Sequence, residues 1–170
     1  MWVHGDGGAY TIQTSLSYNR LYVTIILSNG TRYIVSTALP SLNTWHFIMG
    51  TYNGTTLTSY VDGNKAGSIS ISGIIDKTSY SSSIGGIPGN IGDDVIGQYA
   101  DAQIYNTSLS ANEVQALYQE GIGGAPIDLQ NIVGWWPLNG NANDYSGNNY
   151  NGQASNVIYT SSWTSGYSAP

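Results

Sequence analysis

Cysteine is absent from the 170-residue chain. This excludes disulfide staples and thiolate-bound metal centres. It does not assign the protein to the cytoplasm, because a Tyr/Asn/Thr-rich chain without cysteine suits a prokaryotic surface protein better than a cytosolic enzyme. Charge is also scarce: Asp, Glu, Lys and Arg together make up 8 % of the residues, against roughly a quarter in an ordinary globular protein. Solubility therefore rests on neutral hydrogen-bonding groups. Arg20, Arg32, Lys65 and Lys77 are the four basic residues, and the net charge is −6. A nucleic-acid partner is not expected, because neutralising phosphates needs a basic surface. Charge-driven binding to an anionic membrane is disfavoured for the same reason. No apolar run reaches the about 18 residues of a membrane span, so membrane insertion is not expected. The start "MWVHGDGGAY" lacks the charged and apolar regions of a signal peptide, so a secreted protein would carry its targeting signal outside this stretch.

What is present is strand chemistry. With 41 % hydrophobic residues the chain can build a sizeable core. "AYTIQTS", "RLYVTIIL" and "TRYIVST" are rich in β-branched and aromatic residues, and Asn29–Gly30 between the last two predicts a hairpin turn from two residues that tolerate positive φ. "TWHFIMGTY" places Trp45, Phe47 and Met49 at period two, the spacing of one strand face. Further hairpin turns are expected at Asn53–Gly54 and Asp62–Gly63. Residues 79–94 have loop composition, and "VIGQYADAQIYN" and "SNVIYTSS" read as strands. One short helix is expected near residues 110–120: Ser110 and Glu113 form a capping box, Leu109, Val114, Leu117 and Tyr118 share a face, and Gly121 ends it. Closely spaced turns between short strands predict an all-β fold, an antiparallel jelly-roll β-sandwich.

Three stretches resemble the laminin-G-like, concanavalin-A-like jelly-roll family. "NTWHFIMGTYNGTTLTSYVDGNKAG" is similar to its central hairpins. "YADAQIYNTSLSANEVQALYQEG" is similar to its closing strand and helix. "IVGWWPLNGNANDYSGNNYNGQASNVIY" is similar to its first strand and the loop after it. The resemblance implies the fold more than a function, since this fold hosts lectins, hydrolases and adhesion modules.

The order departs from that family: the opening segment here follows the closing helix. Residues 1–125 read as the body of the jelly roll and residues 126–170 as a tail carrying its first strand and loop. The tail is either the start of a further repeat in a tandem array or the first part of a rearranged domain, docked on its own body or on a neighbouring subunit. The body without its first strand would expose an unpaired sheet edge. The tail alone is too short to bury Trp135, Trp136, Leu138 and Val157, each of which forgoes roughly 1.5–3 kcal/mol when left in water. Val133, Trp135, Trp136 and Leu138 are thus the expected strand-donation or interface residues. Self-association into a homopolymer or filament, or packing against neighbouring repeats, is the expected partnership.

The resemblance also implies a structural calcium ion between opening loop and closing strand, with Asp144 and Asp101 as ligands and Asn141 and Asn143 beside them. The plain alternative is an Asx-turn at Asp144 and a strand-end cap at Asp101. Asp93–Asp94 reads as a solvated loop. Glycan binding is a further reading: Trp45 sits at a core position, whereas Trp135 and Trp136 must face opposite ways in a strand, one in the core and the other a sugar platform, an interface anchor or a covered surface residue. Catalysis is not expected. The two glutamates, Glu113 and Glu120, lie on the helix, no strand carries the acid pair of a glycosidase, and no Ser/His/Asp grouping is suggested around His4 or His46. Asn29, Asn53 and Asn106 each open an N-x-Ser/Thr sequon. The reading is an extracellular, non-enzymatic structural or adhesive protein of a cell surface. The alternative is a calcium-dependent carbohydrate-binding module.

Overall fold

A computed structural model describes residues 3–4, 9–79, 81–86 and 97–159. Trp2, Asp93, Asp94 and Trp163 lie outside the described residues. The chain divides into two compact units, residues 1–97 and 98–170.

The first unit contains β1 (Val3–His4), β2 (Tyr10–Ser15), β3 (Arg20–Ile26), β4 (Arg32–Ala38), β5 (Ile48–Tyr52), β6 (Thr56–Val61), β7 (Asn64–Ser70) and β8 (Ser83–Ile84). All pairings are antiparallel. One sheet runs β4-β3-β2-β1-β8 and the other β5-β6-β7. Period-two burial decides how they stack. Val23, Ile25, Leu27 and Val35 from the first sheet form one core cluster with Leu57 of the second, flanked by Ile12, Tyr52, Ile69 and Ile75. Two glycines set the spacing. A Cβ on Gly50 would lie 2.6 Å from Val23 Cγ1, and one on Gly67 would lie 2.9 Å from Thr37 Cγ2. A methyl at either position would push the sheets apart.

The hairpins form at the expected dipeptides, but by two routes. Asp62 and Gly63 both adopt positive φ, 50° and 74°, as a two-residue type I′ turn demands. At the two Asn-Gly turns only the glycine does, with φ 79° at Gly30 and 91° at Gly54. There the asparagine fixes the turn through its side chain instead. Asn29 Oδ1 accepts from Thr31 N at 2.9 Å, and Asn53 Oδ1 accepts from Thr55 N at 3.0 Å and Thr56 N at 2.8 Å. β5 also starts later than its alternation suggests. Trp45 is only partly buried, and His46 and Phe47 are anchored to the Asp62 turn.

The second unit contains β9 (Ala102–Tyr105), α1 (Ala111–Glu120) and β10 (Ile132–Trp136). The helix carries the expected capping box: Ser110 Oγ accepts from Glu113 N at 3.4 Å, and Glu113 Oε2 accepts from Ser110 N at 2.7 Å. Val114 and Leu117 are its buried face, and Gly121, φ 72°, closes it by donating to Tyr118 O. β10 pairs antiparallel with β9 of its own chain, Ile132 opposite Tyr105 and Trp136 opposite Ala102, with a bulge between Ile132 and Gly134. Over the described part of the second expected tail strand, residues 155–159, no strand forms. Residues 155–159 are irregular, Val157 is 55 % exposed and Ile158 90 %. The edge of β10 that such a strand could extend is already occupied by residues 144–148.

Candidate functional site: the tryptophan strand and its asparagine-rich loop

Two tryptophans in succession on β10 face opposite ways, and each is fixed by its indole N–H. Trp135 Nε1 donates to Asp101 Oδ1 at 2.8 Å, and Trp136 Nε1 donates to the Tyr150 carbonyl at 2.8 Å. Neither ring is fully buried, so the expectation that one of them is core does not hold; both are half-covered. Gly134 explains where the Trp136 ring goes. A Cβ there would lie 2.1 Å from Trp136 Cη2, so the indole lies over the bare glycine two residues back on the same face. Leu138 follows the strand at φ 60° and is half-buried.

Residues 144–148 fold back onto the outer edge of β10. Trp135 N donates to Asp144 Oδ1 at 2.9 Å, and Tyr145 N donates to Trp135 O at 2.7 Å. The bulge leaves the Val133 carbonyl without a ladder partner, and Ser146 Oγ at 3.2 Å and Asn148 Nδ2 at 3.1 Å satisfy it. The backbone groups that would recruit another strand are therefore capped from within the chain, a means of protecting a sheet edge.

Asp144 is the centre of this loop. Its Oδ1 accepts from Trp135 N and Ser146 N, its Oδ2 from Ser146 Oγ and Tyr150 N, all at 2.9 Å. Desolvation pushes its carboxyl up, but the bonds from Trp135, Ser146 and Tyr150 outweigh it and hold the pKa below the ordinary aspartate value. Asp101, at φ 53°, takes Gln103 Nε2 at 3.1 Å as well as the Trp135 indole on Oδ1. Burial pushes its pKa up, and the bonds from Gln103 and Trp135 offset that only in part. Tyr105 extends the row by donating to Gln103 Oε1 at 2.6 Å; desolvation pushes its hydroxyl up to about 12.

The aspartates thus converge on Trp135, one on its ring and one on its backbone. This donor set does not fit calcium at Asp144. A calcium ion takes about six to eight oxygens with lone pairs facing it, whereas four N–H and O–H groups already point at this carboxylate. Asn141 Oδ1 is used by Asn143 N at 2.8 Å, and Asn141 Nδ2 reaches Tyr145 Oη at 3.3 Å. Among the described residues no three Asp, Glu, His or Cys side chains gather into a metal cluster.

Two features escaped sequence reasoning. Tyr145 and Tyr150 are 54 % and 59 % exposed on this loop, and Tyr145 stands edge-on to Trp135 with ring centres 6.2 Å apart. In the first unit a Ser/His/Asp grouping does form, contrary to expectation: His46 Nδ1 donates to Asp62 Oδ2 at 2.8 Å, and His46 Nε2 lies 2.9 Å from Ser41 Oγ. The β5–β6 register, with Ile48 opposite Val61, brings Asp62 beside Phe47. The grouping straps Ser41 and His46 to the Asp62 turn. Nε2 also lies 3.1 Å from Ser41's own carbonyl, and the second oxygen of Asp62 accepts from Phe47 N at 3.0 Å. The three sequon asparagines, Asn29, Asn53 and Asn106, are all exposed.

Among the described residues no helix is long and apolar enough to cross a membrane. No curated protein matches the chain. It is similar to the crystal structure of an S-layer domain-containing protein, residues 221–444, from Clostridium thermocellum ATCC 27405, at 19 % identity and a TM-score of 0.40; the match covers 66 % of this chain and 58 % of that one, so the chain spans less than two thirds of it. The laminin G family model Laminin_G_3, described as the concanavalin A-like lectin/glucanases superfamily, matches residues 1–115. With antiparallel sheets packed about one core and a capped helix after β9, the chain belongs to that superfamily, in its laminin G family.

Proposed function

We propose that the protein is an extracellular, non-enzymatic structural or adhesive module of a cell surface, suited to repetition along one chain rather than to strand exchange between chains. The observation that carries this reading is the occupancy of β10. One edge is laddered to β9 of the same chain, and the other is capped by Asp144, Ser146 and Asn148. A strand held in this way has little left to offer a second molecule. The composition supports the extracellular part, with 8 % charged residues and no cysteine. The non-enzymatic part is supported by Glu113 being committed to a helix cap and His46 to a strap. Light scattering across a hundredfold concentration range tests the assembly route. A constant monomer mass is expected; growth into long polymers would overturn it.

A second reading is favoured by Tyr145 and Tyr150, exposed beside Asn141, Asn143 and Asn151: a sugar-stacking platform without calcium at Asp144. Glycan-array binding lost in Tyr145→Ala and Tyr150→Ala, and unaffected by chelator, is its expected signature.

A further inference from the structure

Two of the three sequons meet at one end of the first unit, although 24 residues of sequence separate Asn29 from Asn53. The connector after β7 joins them. At the Asn53 tip, Ile71 N donates to Thr55 O at 3.0 Å, and the Tyr52 hydroxyl lies between two carbonyl acceptors, Gly54 O at 2.9 Å and Gly73 O at 2.8 Å. One residue later the connector reaches the other tip. Ser28 N donates to Ile74 O at 2.9 Å, and Leu27 bridges Ile75. The two Asn-Gly-Thr tips therefore flank Ile74, whose side chain is 74 % exposed.

Each asparagine is also held in one orientation. The amide oxygens of Asn29 and Asn53 accept from the backbone N–H of the threonine two residues on, at 2.9 and 3.0 Å, and Thr55 Oγ1 adds a third-atom hold on Asn53 Oδ1 at 3.0 Å. With each oxygen engaged by the turn's own donors, Nδ2 is the amide atom left for substitution, on an exposed residue.

We infer that Asn29 and Asn53 are a paired N-glycan acceptor site, two sugar chains on adjacent hairpin tips that cover Ile74. The chemistry needs a glycosyl donor with a pyrophosphate leaving group and a transferase that supplies it. Asparagine Nδ2 bonds to the anomeric carbon, the carbon–oxygen bond to the carrier breaks, the carrier leaves as the pyrophosphate anion and Nδ2 gives up one proton to a base. The fold's contribution is accessibility: both nitrogens lie on turns that a bulky substituent leaves undisturbed. A glycan-covered end is closed to tight protein contact, so any neighbouring copy must approach by another surface.

This inference rests on the extracellular reading, and the test separates the two. The protein is secreted from a eukaryotic host carrying its own oligosaccharyltransferase, and peptides spanning each site are mapped by mass spectrometry. Expected are glycan increments on both Asn29 and Asn53, with Thr31→Ala and Thr55→Ala each removing one and leaving the circular dichroism spectrum unchanged. The unglycosylated double variant should be retained longer on a phenyl column, because Ile74 is then bare. An unmodified peptide at either asparagine overturns the inference and leaves the extracellular reading standing. Finding the native protein inside its cell sinks that reading and leaves the acceptor result intact.

Discussion

The indole nitrogen of Trp135 donates to Asp101 Oδ1 at 2.8 Å. The backbone nitrogen of the same tryptophan donates to Asp144, so one residue ties the end of β9, the middle of β10 and the loop that caps it. The aspartates differ in kind. Asp144 is a half-exposed hub with four donors, and Asp101 is a desolvated acceptor with two.

Asp144→Asn tests the hub. The amide keeps one acceptor oxygen but turns an NH₂ toward Tyr150 N–H and Ser146 O–H, donor against donor. The expected loss is about 1–2 kcal/mol, held at the low end by solvent around the loop, and is read as a lower urea midpoint with an unchanged m-value. Because the folded pKa of Asp144 is lowered, its contribution is complete above the ordinary carboxylate range and disappears as pH falls through the folded value.

Asp101 has the opposite sign. Its folded pKa is raised, so the stability it confers is present at low pH and is lost as pH rises through that value. Asp101→Asn keeps an oxygen for Trp135 and Gln103 and removes the buried charge. Melting temperatures measured from pH 3 to pH 8 should show the variant level with the parent in acid and more stable at neutrality. A variant less stable at neutral pH would show that the negative charge itself is needed.

Gly134→Ala should displace the Trp136 ring, because its methyl would occupy the indole's position. Loss of that packing and of the bond to Tyr150 O costs on the order of 1–3 kcal/mol. Tryptophan emission should shift to the red as the ring enters water.

In the first unit, Asp62→Asn and Asp62→Ala should separate. Asparagine tolerates the positive φ and keeps an oxygen for Phe47 N, so its cost stays under about 1 kcal/mol. Alanine loses both bonds and is strained at φ 50°, for about 2–3 kcal/mol. Denaturant unfolding of the pair checks the ordering. Equal losses would mean that the strap, not the turn, carries the stability.

What could be read in the sequence was local. Ser110 and Glu113 lie three residues apart, and the capping box follows from that spacing. Asp62–Gly63 specifies its turn through its own backbone preference. The grouping of Ser41, His46 and Asp62 depends instead on the β5–β6 register, which period-two alternation leaves undetermined. The tryptophan strand's appetite for a ladder was visible in Trp135 and Trp136, but cis and trans docking looked alike, because the linker permits both. Asp101 and Asp144 were singled out together as cation ligands. The donors that fill Asp144 come from Trp135, Ser146 and Tyr150, and only the folded loop brings them there. Val157 and Ile158 have strand composition, but the edge they would extend is already capped.

The central claim is that β10 is laddered to β9 within one molecule. Cross-strand nuclear Overhauser contacts between residues 102–105 and 132–136, recorded on an equal mixture of isotope-labelled and unlabelled protein with isotope filtering, test it directly. The account predicts that every such contact arises within a labelled chain. Contacts between labelled and unlabelled chains across that ladder would contradict it.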